Sequence, residues 1–337
     1  MSYADVNGID LYYEEHGSGQ PLILLHGGLG MGEMYAPILP LLAKERRVIT
    51  VDLQAHGHTA DVDRPLRYQT LADDIAALIG HLGLAQADVM GYSFGGATAL
   101  RTAIQHPHLV RRLVLVSEPC QRDGWYPESV AGMEQIGSQL AEPLKQSPMY
   151  QIYAQVAPRV QDWPVLLDKT GDLLRQDYDW SADVAEITAA VMLVYADADA
   201  VRPEHIVRFY QLLGGGLRDA NWDGSARSVN RLAILPGHTH YDVFASPDLA
   251  TAVIPFLGAG RFSSRRGPPG PVRAATARAG RTGPSAGWPR AAWPAAPAPS
   301  PAHRPAGRPG PSAVHSRPWH RPQAGRTPVA AARPCRS

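Results

Sequence analysis

Residues 89–100 read VMGYSFGGATAL and decide how the fold is interpreted. A serine, Ser93, stands between Gly91 and Gly95, after a short apolar run and before a helical pattern. A nucleophilic serine on a strand-to-helix turn needs such small neighbours, because its backbone is strained and adjacent segments pass close to it. An ordinary glycine-rich helix start packed under a sheet would have the same sequence. The catalytic interpretation therefore requires a base, an acid and an oxyanion site elsewhere in the chain.

The surrounding sequence alternates between apolar strand patterns and amphipathic helix patterns. Continuous apolar strands separated by such helices indicate an α/β fold with a mainly parallel sheet and helices on both faces. Asn7-Gly8 suits the turn of a hairpin that leads into the next strand. The predicted strands cover residues 9–17, 21–28, 46–54, 87–93, 110–119, 189–199 and 231–237, and the predicted helices cover 71–82, 94–106, 203–213 and 247–257.

One segment interrupts this alternation. Between Glu118 and Ala190 no strand pattern is visible, and aromatic residues are frequent. We interpret residues 120–189 as a helical cap inserted over the carboxyl ends of the strands, where open α/β sheets bind ligands. Residues 1–119 and 190–258 then form the core domain. Most of the aromatic rings would form the cap's own core, and a few would line an apolar pocket.

The charge is divided between two kinds of polypeptide. Residues 1–260 contain 18 basic and 31 acidic residues, whereas residues 261–337 contain 14 arginines and no acidic residue. The second stretch is rich in Pro, Ala, Gly and Arg and poor in large apolar residues, a composition that predicts disorder. A basic arm for nucleic acid or membrane is the alternative, but aromatic residues are sparse and no amphipathic period is present. An out-of-frame extension beyond a stop codon near Leu257 fits better, and we assign this tail no catalytic role.

The N-terminus and the cysteines bear on the cellular setting. The first residues lack the basic and apolar regions of a signal peptide, and no stretch approaches the ~18 apolar residues of a membrane span. Cys120 and Cys335 give neither a disulfide framework nor a metal-binding spacing, which fits a reducing compartment. We expect a cytoplasmic monomer or small homo-oligomer that acts on a small-molecule substrate, without nucleic acid, membrane, metal or organic cofactor.

The stretch LLHGGLG at residues 24–30 offers a site for an oxyanion. Acyl transfer places negative charge on a carbonyl oxygen, and each backbone N–H that stabilises it contributes roughly 3–4 kcal/mol. We expect one donor to be Phe94 N–H, at the positive end of a helix, and the other to be the N–H of Gly28 or Leu29. His26 precedes this turn and is expected to tie loops together rather than to act as the base.

Later strand ends supply the acid and the base. An acid that orients a histidine should follow a strand, and Asp199 is preferred over Asp197, which can cap the turn with its own side chain. Glu118, at the end of the preceding strand, is a rival acid. A serine needs an adjacent imidazole as its base, and His240 is preferred over His238. The chain order of serine, aspartate and histidine is one of the known triad orders.

The sequence resembles the α/β-hydrolase fold superfamily over residues 1–258, and in particular its branch of carboxylesterases, enol-lactonases and cofactor-free haloperoxidases. The motifs that carry the resemblance are HGG at residues 26–28, VDLQAHGHT at 51–59, GYSFGG at 91–96, ADADAVRP at 196–203 and LPGHTHYD at 235–242. The resemblance implies that Ser93 is the nucleophile, that Asp199 is the acid and that His240 is the base.

Ser93 at this strand-to-helix turn, the nucleophile elbow, also excludes two classes of enzyme. Haloalkane dehalogenases and soluble epoxide hydrolases of this superfamily use an aspartate at the same place. We expect cleavage of an ester or lactone of a small to medium, partly hydrophobic substrate through an acyl-enzyme on Ser93. A carbon–carbon bond hydrolase, or a perhydrolase or haloperoxidase-like enzyme, would use the same triad. A lyase or a ligand sensor on this fold would form no acyl-enzyme. Ala55 and Ala196, where relatives usually have glycine, are two departures from the family pattern.

Overall fold

An eight-stranded sheet organises residues 2–258, the part of the chain that the structure, a computed structural model, describes. Its strands are β1 (Ser2–Val6), β2 (Ile9–His16), β3 (Gln20–Leu25), β4 (Arg46–Val51), β5 (Ala87–Tyr92), β6 (Val110–Val116), β7 (Ala190–Ala198) and β8 (Arg231–Thr239). They lie in the order β1-β2-β4-β3-β5-β6-β7-β8. The β1–β2 and β2–β4 pairs are antiparallel, and the other pairs are parallel. The predicted α/β fold with a mainly parallel sheet is confirmed. The predicted tail, residues 261–337, lies outside the described residues.

Helices connect these strands and cover both faces of the sheet. They are α1 (Leu39–Leu42), α2 (Tyr68–His81), α3 (Phe94–Gln105), α4 (Pro127–Glu134), α5 (Ala141–Leu144), α6 (Pro148–Val156), α7 (Trp163–Leu174), α8 (Ser181–Ala185), α9 (Pro203–Leu212) and α10 (Pro247–Gly258). Short 3-10 helices lie at Gly32–Tyr35, Arg122–Gly124, Ser138–Leu140, Val160–Asp162 and Val243–Ala245.

The two faces of the sheet bury separate hydrophobic cores. Along β3, Ile23 and Leu25 belong to one core, whereas Leu22 and Leu24 belong to the other, as the two-residue period of a strand requires. The first core packs against residues of α2, α3 and α9, and the second against residues of α1 and α10. Each of these fully buried aliphatic side chains contributes roughly 1.5–3 kcal/mol relative to exposure.

The hairpin between β1 and β2 follows the sequence prediction. Asn7 and Gly8 have φ angles of 48° and 79°, which is the left-handed pair that a tight two-residue turn needs. Val6 and Ile9 are paired across this turn. The Asn7 side chain also donates to Asp74 of α2 (3.0 Å), so the hairpin is attached to the helix beneath it.

Residues 120–189, which we predict to be a helical cap, contain α4 to α8 and no strand of the sheet. Tyr153 and Trp163 pack with neighbouring cap residues into a third hydrophobic cluster. This cluster also includes Leu29, which belongs to the loop after β3 rather than to the cap. The cap is therefore in direct contact with the loop that was predicted to supply an oxyanion donor.

The end of the sheet differs in one respect from the sequence prediction. β8 continues to Thr239, two residues past the predicted end at Gly237, because Thr239 pairs with Ala198 of β7. His238 thus lies within a strand, and His240 is the first residue after it. α9 ends at Leu212, one residue earlier than predicted. Among residues 2–258, no helix combines the length and apolar character needed to cross a membrane.

Candidate active site

Ser93 occupies a strained turn between β5 and α3. Its backbone angles are φ 49° and ψ −121°, a region that residues other than glycine rarely adopt. Two hydrogen bonds hold this conformation: Ser93 N–H donates to the carbonyl oxygen of Val116, and Ala97 N–H donates to the Ser93 carbonyl oxygen, both at 2.9 Å. The Ser93 hydroxyl makes no capping bond to α3. The turn therefore presents the hydroxyl beyond the helix rather than using it as a helix cap.

The glycines around Ser93 are required by close backbone approaches. A Cβ on Gly91 would lie 2.1 Å from the Gly95 carbonyl oxygen, and a Cβ on Gly95 would lie 2.4 Å from the His26 carbonyl oxygen. A Cβ on Gly96 would lie 2.8 Å from Cβ of Glu118. These distances are shorter than real Cβ contacts, so the strained elbow and its glycines are one structural unit.

The predicted oxyanion donors lie on two adjacent segments. A turn closed by Gly30 N–H and the Gly27 carbonyl oxygen (3.0 Å) follows β3, and Leu29 within it has φ 57°. A Cβ on Gly28 would lie 3.7 Å from Cβ of Phe94, so this turn faces the start of α3. Within residues 2–258, the N–H groups of Gly28, Leu29 and Phe94 donate to no protein acceptor. Such unused donors at a helix start suit a developing negative charge.

Asp199 is held by a set of donors and contacts His240. Its Oδ1 lies 3.1 Å from His240 Nδ1. Its Oδ2 accepts hydrogen bonds from the Ser117 hydroxyl (2.5 Å) and from Ala196 N–H (3.0 Å). The Asp199 side chain is 1 % exposed and that of His240 is 9 % exposed, so the pair is shielded from bulk water. Ala196, one of the two departures from the family pattern, contributes a backbone donor that glycine would also provide.

The electrostatics keep Asp199 ionised. Burial raises its pKa, but the hydrogen bond and the charge of His240, followed by the hydrogen bonds from Ser117 and Ala196, outweigh burial and leave the pKa below its ordinary value. An ionised carboxylate accepts from Nδ1–H and so fixes the tautomer of His240. Nε2 of His240 is then the ring nitrogen that is free to accept a proton.

Two aromatic side chains connect His240 to the elbow. The hydroxyl of Tyr92, the residue before Ser93, donates to the His240 carbonyl oxygen (2.7 Å). The Trp125 ring lies edge-on to the His240 ring, with centroids 5.4 Å apart. Trp125, which contacts the His240 ring, and Ser93 line one pocket beneath the cap, whereas His240 itself is not among the residues that line it.

The rival acid and base candidates are engaged elsewhere. Asp197 is exposed and accepts a hydrogen bond from Gly237 N–H (2.9 Å), so it ties the ends of β7 and β8 together. His238 Nε2 lies 3.1 Å from Asp248 Oδ2 on the exposed side of β8. The Glu118 carboxyl accepts from the hydroxyl of Tyr178 (3.1 Å). Among these acids, Asp199 is the one in hydrogen-bond contact with His240.

A model of the α/β-hydrolase fold family matches residues 20–215, which is more than half of the chain. The chain belongs to the α/β-hydrolase fold family. This establishes the family that the elbow and the motif order indicated. The match ends before His240, so the contact of this histidine with Asp199 is an independent observation from the geometry.

Individual members of the α/β-hydrolase family are similar to this chain over different lengths. The chain is 37% identical over 113 residues to the 2-hydroxymuconate semialdehyde hydrolase of Pseudomonas sp. (strain CF600), an alignment that spans 32% of this chain and 40% of that protein. The solved structure of E-2-(acetamidomethylene)succinate hydrolase has a TM-score of 0.60 at 21% identity and covers 76% of this chain and 98% of its own. The enol-lactonase of Burkholderia xenovorans LB400 has a TM-score of 0.56 at 22% identity, covering 76% and 99%. These structures support the fold.

Sequence reasoning missed two residues of the α/β-hydrolase site. Ser117 donates to Asp199, and Tyr92 anchors the backbone of His240. The available signal for Ser117 is its place directly after β6, at the same edge of the sheet as Ser93, with a left-handed φ of 53°. Nothing in the local sequence distinguishes the hydroxyl of Tyr92 from that of any other tyrosine next to a strand end.

Histidines of the loops after β3 and β4 make contacts that stabilise the core. His26 Nε2 accepts a hydrogen bond from Leu53 N–H (3.0 Å), which joins the loops after β3 and β4. Burial lowers the pKa of His26 despite the nearby charge of Asp52, so the imidazole is neutral. Asp52, His58 and Glu33 bring possible metal-ligand atoms within 4.8 Å of one another. Both oxygens of Asp52 already accept hydrogen bonds from the protein, including one from His58 N–H (2.9 Å). We therefore interpret this cluster as a loop anchor.

Proposed function

We propose that the protein is a serine hydrolase that cleaves an ester or lactone of a small to medium, partly hydrophobic substrate. The observation that carries this proposal is the buried His240–Asp199 pair, whose imidazole packs against Trp125 in the lining of the pocket that contains Ser93 on a strained elbow. We expect His240, whose tautomer Asp199 fixes, to accept the proton of Ser93, whose hydroxyl does not cap α3.

In the proposed reaction, Ser93 Oγ attacks the carbonyl carbon while its proton moves to His240 Nε2. The carbonyl oxygen becomes an oxyanion that accepts from Phe94 N–H and from the N–H of Gly28 or Leu29. His240 then returns the proton to the leaving alcohol, and the acyl group stays on Ser93. A water molecule, deprotonated by the same nitrogen, attacks the acyl-enzyme, and the proton passes back to the serine as the acid leaves.

The pocket supports a mainly apolar acyl group. The free cavity volume between its side chains is about 20 Å³, so a substrate would enter only as the cap moves outward. Cap and core residues both contribute apolar lining. The apolar residues that line it are Phe94, Trp125, Met133, Leu173 and Leu174. Because the cap also packs against Leu29, cap closure would shape the pocket and hold one candidate oxyanion donor at the same time.

Hydrolysis of a carbon–carbon bond is the second candidate. It is favoured by the 37% identity to a hydrolase whose name specifies a hydroxymuconate semialdehyde rather than an ester. The chain spans about 40% of the length of that relative, and the segment with His240 is not part of the family match, so its activity cannot be transferred directly. The same serine, histidine and aspartate would serve both reactions, and the substrate alone separates them.

A substrate panel with three proteins tests the proposal. For wild type, we expect kcat/KM to be higher for short p-nitrophenyl esters or lactones than for 2-hydroxymuconate semialdehyde. Ser93→Ala is expected to lose roughly a thousandfold or more in kcat. Ser225→Ala, in an exposed loop, is the matched control and should retain wild-type rates. Full ester turnover by Ser93→Ala would refute the nucleophile, and a preference for the semialdehyde would favour the second candidate.

A further inference from the structure

Glu118 is a buried acid in the substrate pocket for which the proposed mechanism has no use. It is 1 % exposed, is the second residue after β6, and lines the same pocket as Ser93. Its Cβ is also the atom that leaves no room for a side chain at Gly96 of the elbow. Glu118 is thus held next to the nucleophile by the backbone rather than by a flexible loop.

The groups that face Glu118 do not favour a negative charge. Its titratable neighbours are Tyr68, Tyr178, Tyr195 and the carboxylate of Asp199. Within residues 2–258, no lysine, arginine or histidine forms an ion pair with Glu118. A buried carboxyl beside another carboxylate and without a cation stays protonated.

The basic residue that lines this pocket does not change that conclusion. Arg122 donates to Glu134 (3.1 Å), a half-exposed residue of the cap. Burial, the largest influence, raises the pKa of Glu118 well above its ordinary value; the hydrogen bond from Tyr178 opposes this and the charge of Asp199 adds to it. Geometry and electrostatics therefore agree on a neutral carboxylic acid.

When the hydrogen bonds around Glu118 are assigned, the acid O–H of Glu118 is left without an acceptor. Trp125 Nε1–H donates to the Tyr178 hydroxyl oxygen (3.2 Å), and the Tyr178 hydroxyl donates to Oε1 of Glu118 (3.1 Å). Since tryptophan can only donate, the proton of the tyrosine is directed to Glu118. The acid proton of Glu118 therefore belongs on Oε2, an oxygen that makes no hydrogen bond within the described part of the chain.

We propose that Glu118 is a substrate-binding residue whose O–H donates a hydrogen bond to a keto oxygen on the acyl chain, so that the preferred substrates are esters or lactones of oxo acids. This rests on the proposed serine hydrolase function, which it deepens by naming the substrate class. The surrounding apolar lining strengthens a hydrogen bond to such an oxygen and penalises the same site when the oxygen is absent.

Two matched ester pairs test this proposal: p-nitrophenyl levulinate against valerate, and p-nitrophenyl acetoacetate against butyrate. Wild type should prefer at least one oxo ester by about tenfold in kcat/KM. An acyl chain without the keto oxygen leaves the buried O–H of Glu118 without an acceptor. Glu118→Gln retains a neutral donor and should keep the preference, whereas Glu118→Ala should lose it. Glu128→Gln removes an exposed carboxylate of the cap that does not line the pocket and is the control that should leave the preference unchanged.

The pH profile supplies a readout that a purely structural role would not move. As rising pH ionises Glu118, the side chain loses its donor, so the preference of wild type should decline with pH while that of Glu118→Gln persists. This comparison also decides the question if Glu118→Ala fails to fold. Three results would overturn the proposal. The preference for oxo esters could survive in Glu118→Ala, or it could be absent from wild type for both pairs. It could also have the same pH profile in Glu118→Gln as in wild type.

Failure of the proposed function is distinguished by binding. If no ester is turned over, calorimetry with levulinamide and valeramide replaces the kinetics, because amide binding requires no acyl-enzyme. Wild type and Glu118→Gln should then bind levulinamide about tenfold more tightly than valeramide, whereas Glu118→Ala should bind the two amides equally. This result would support the role of Glu118 in the absence of hydrolysis. Equal binding by wild type would overturn it.

Discussion

Replacement of Asp199 by Asn should change the tautomer of His240 rather than the fold. The Oδ2 position faces the Ser117 hydroxyl and Ala196 N–H (3.0 Å), whereas the Oδ1 position faces Val201 N–H at the longer distance of 3.3 Å, so we expect the amide oxygen of Asn at the Oδ2 position. The amide NH₂ group then faces His240 Nδ1, which has to accept instead of donate. The ring proton moves to Nε2, and that nitrogen can no longer take the proton of Ser93.

The expected loss in kcat is roughly 10⁴-fold, or about 5.5 kcal/mol of transition-state stabilisation. The matched control is Asp197→Asn, whose exposed side chain accepts from Gly237 N–H alone, and which should stay within about threefold of wild type. Turnover of p-nitrophenyl butyrate gives kcat, and thermal unfolding shows that both variants are folded. Equal losses in the two variants, or near wild-type kcat in Asp199→Asn, would refute the assignment of the acid.

The same carboxylate makes a pH-dependent contribution to stability. The pKa of Asp199 is lowered on folding, so its contribution is fully present above the ordinary value of 3.8 and is lost as the pH falls through the folded pKa. Urea unfolding at a series of pH values should therefore show that the stability difference between wild type and Asp199→Asn shrinks on acidification below 3.8. A difference that grows in acid would show that Asp199 is protonated in the fold.

Three further predictions concern the elbow, the anchor of His240 and the tail. Gly91→Ala should destabilise by about 1–3 kcal/mol, because its Cβ would lie 2.1 Å from a carbonyl oxygen, whereas Gly80→Ala in the open part of α2 should stabilise by about 0.5–1 kcal/mol in denaturant titrations. Tyr92→Phe removes the hydrogen bond to the His240 carbonyl oxygen and should lower stability by about 1 kcal/mol and kcat by up to roughly tenfold; unchanged steady-state kinetics would contradict the anchor role. Truncation after Gly258 should leave the thermal midpoint and ester turnover unchanged, since every proposed site residue precedes it, and loss of folding would give the tail a structural role.

The main site residues were predictable because each belongs to a local motif at a strand end. Ser93 follows β5, Asp199 follows β7 and His240 follows β8, and the carboxyl ends of these parallel strands share one edge of the sheet. The preference for Asp199 over Asp197 could also be argued from local turn chemistry. The expected loop position of His238 was wrong, because the extra strand residues depend on pairing with β7.

The supporting contacts could not be predicted because they join distant parts of the chain. Ser117 and Asp199 are 82 residues apart, and Tyr92 and His240 are 148 residues apart. The protonation of Glu118 likewise depends on residues that are distant in the chain, namely Tyr178 of the cap and Asp199 after β7. Local sequence periodicity carries no information about such pairs, since their register follows from the sheet and from cap packing.

Mass spectrometry after treatment with a fluorophosphonate probe tests the central claim most directly. The account predicts one adduct per chain, on the peptide that contains Ser93, and a parallel loss of ester turnover as labelling proceeds. Ser93→Ala should remain unlabelled. An adduct on a different residue, or full turnover by a protein whose Ser93 is completely labelled, would contradict the assignment of the nucleophile.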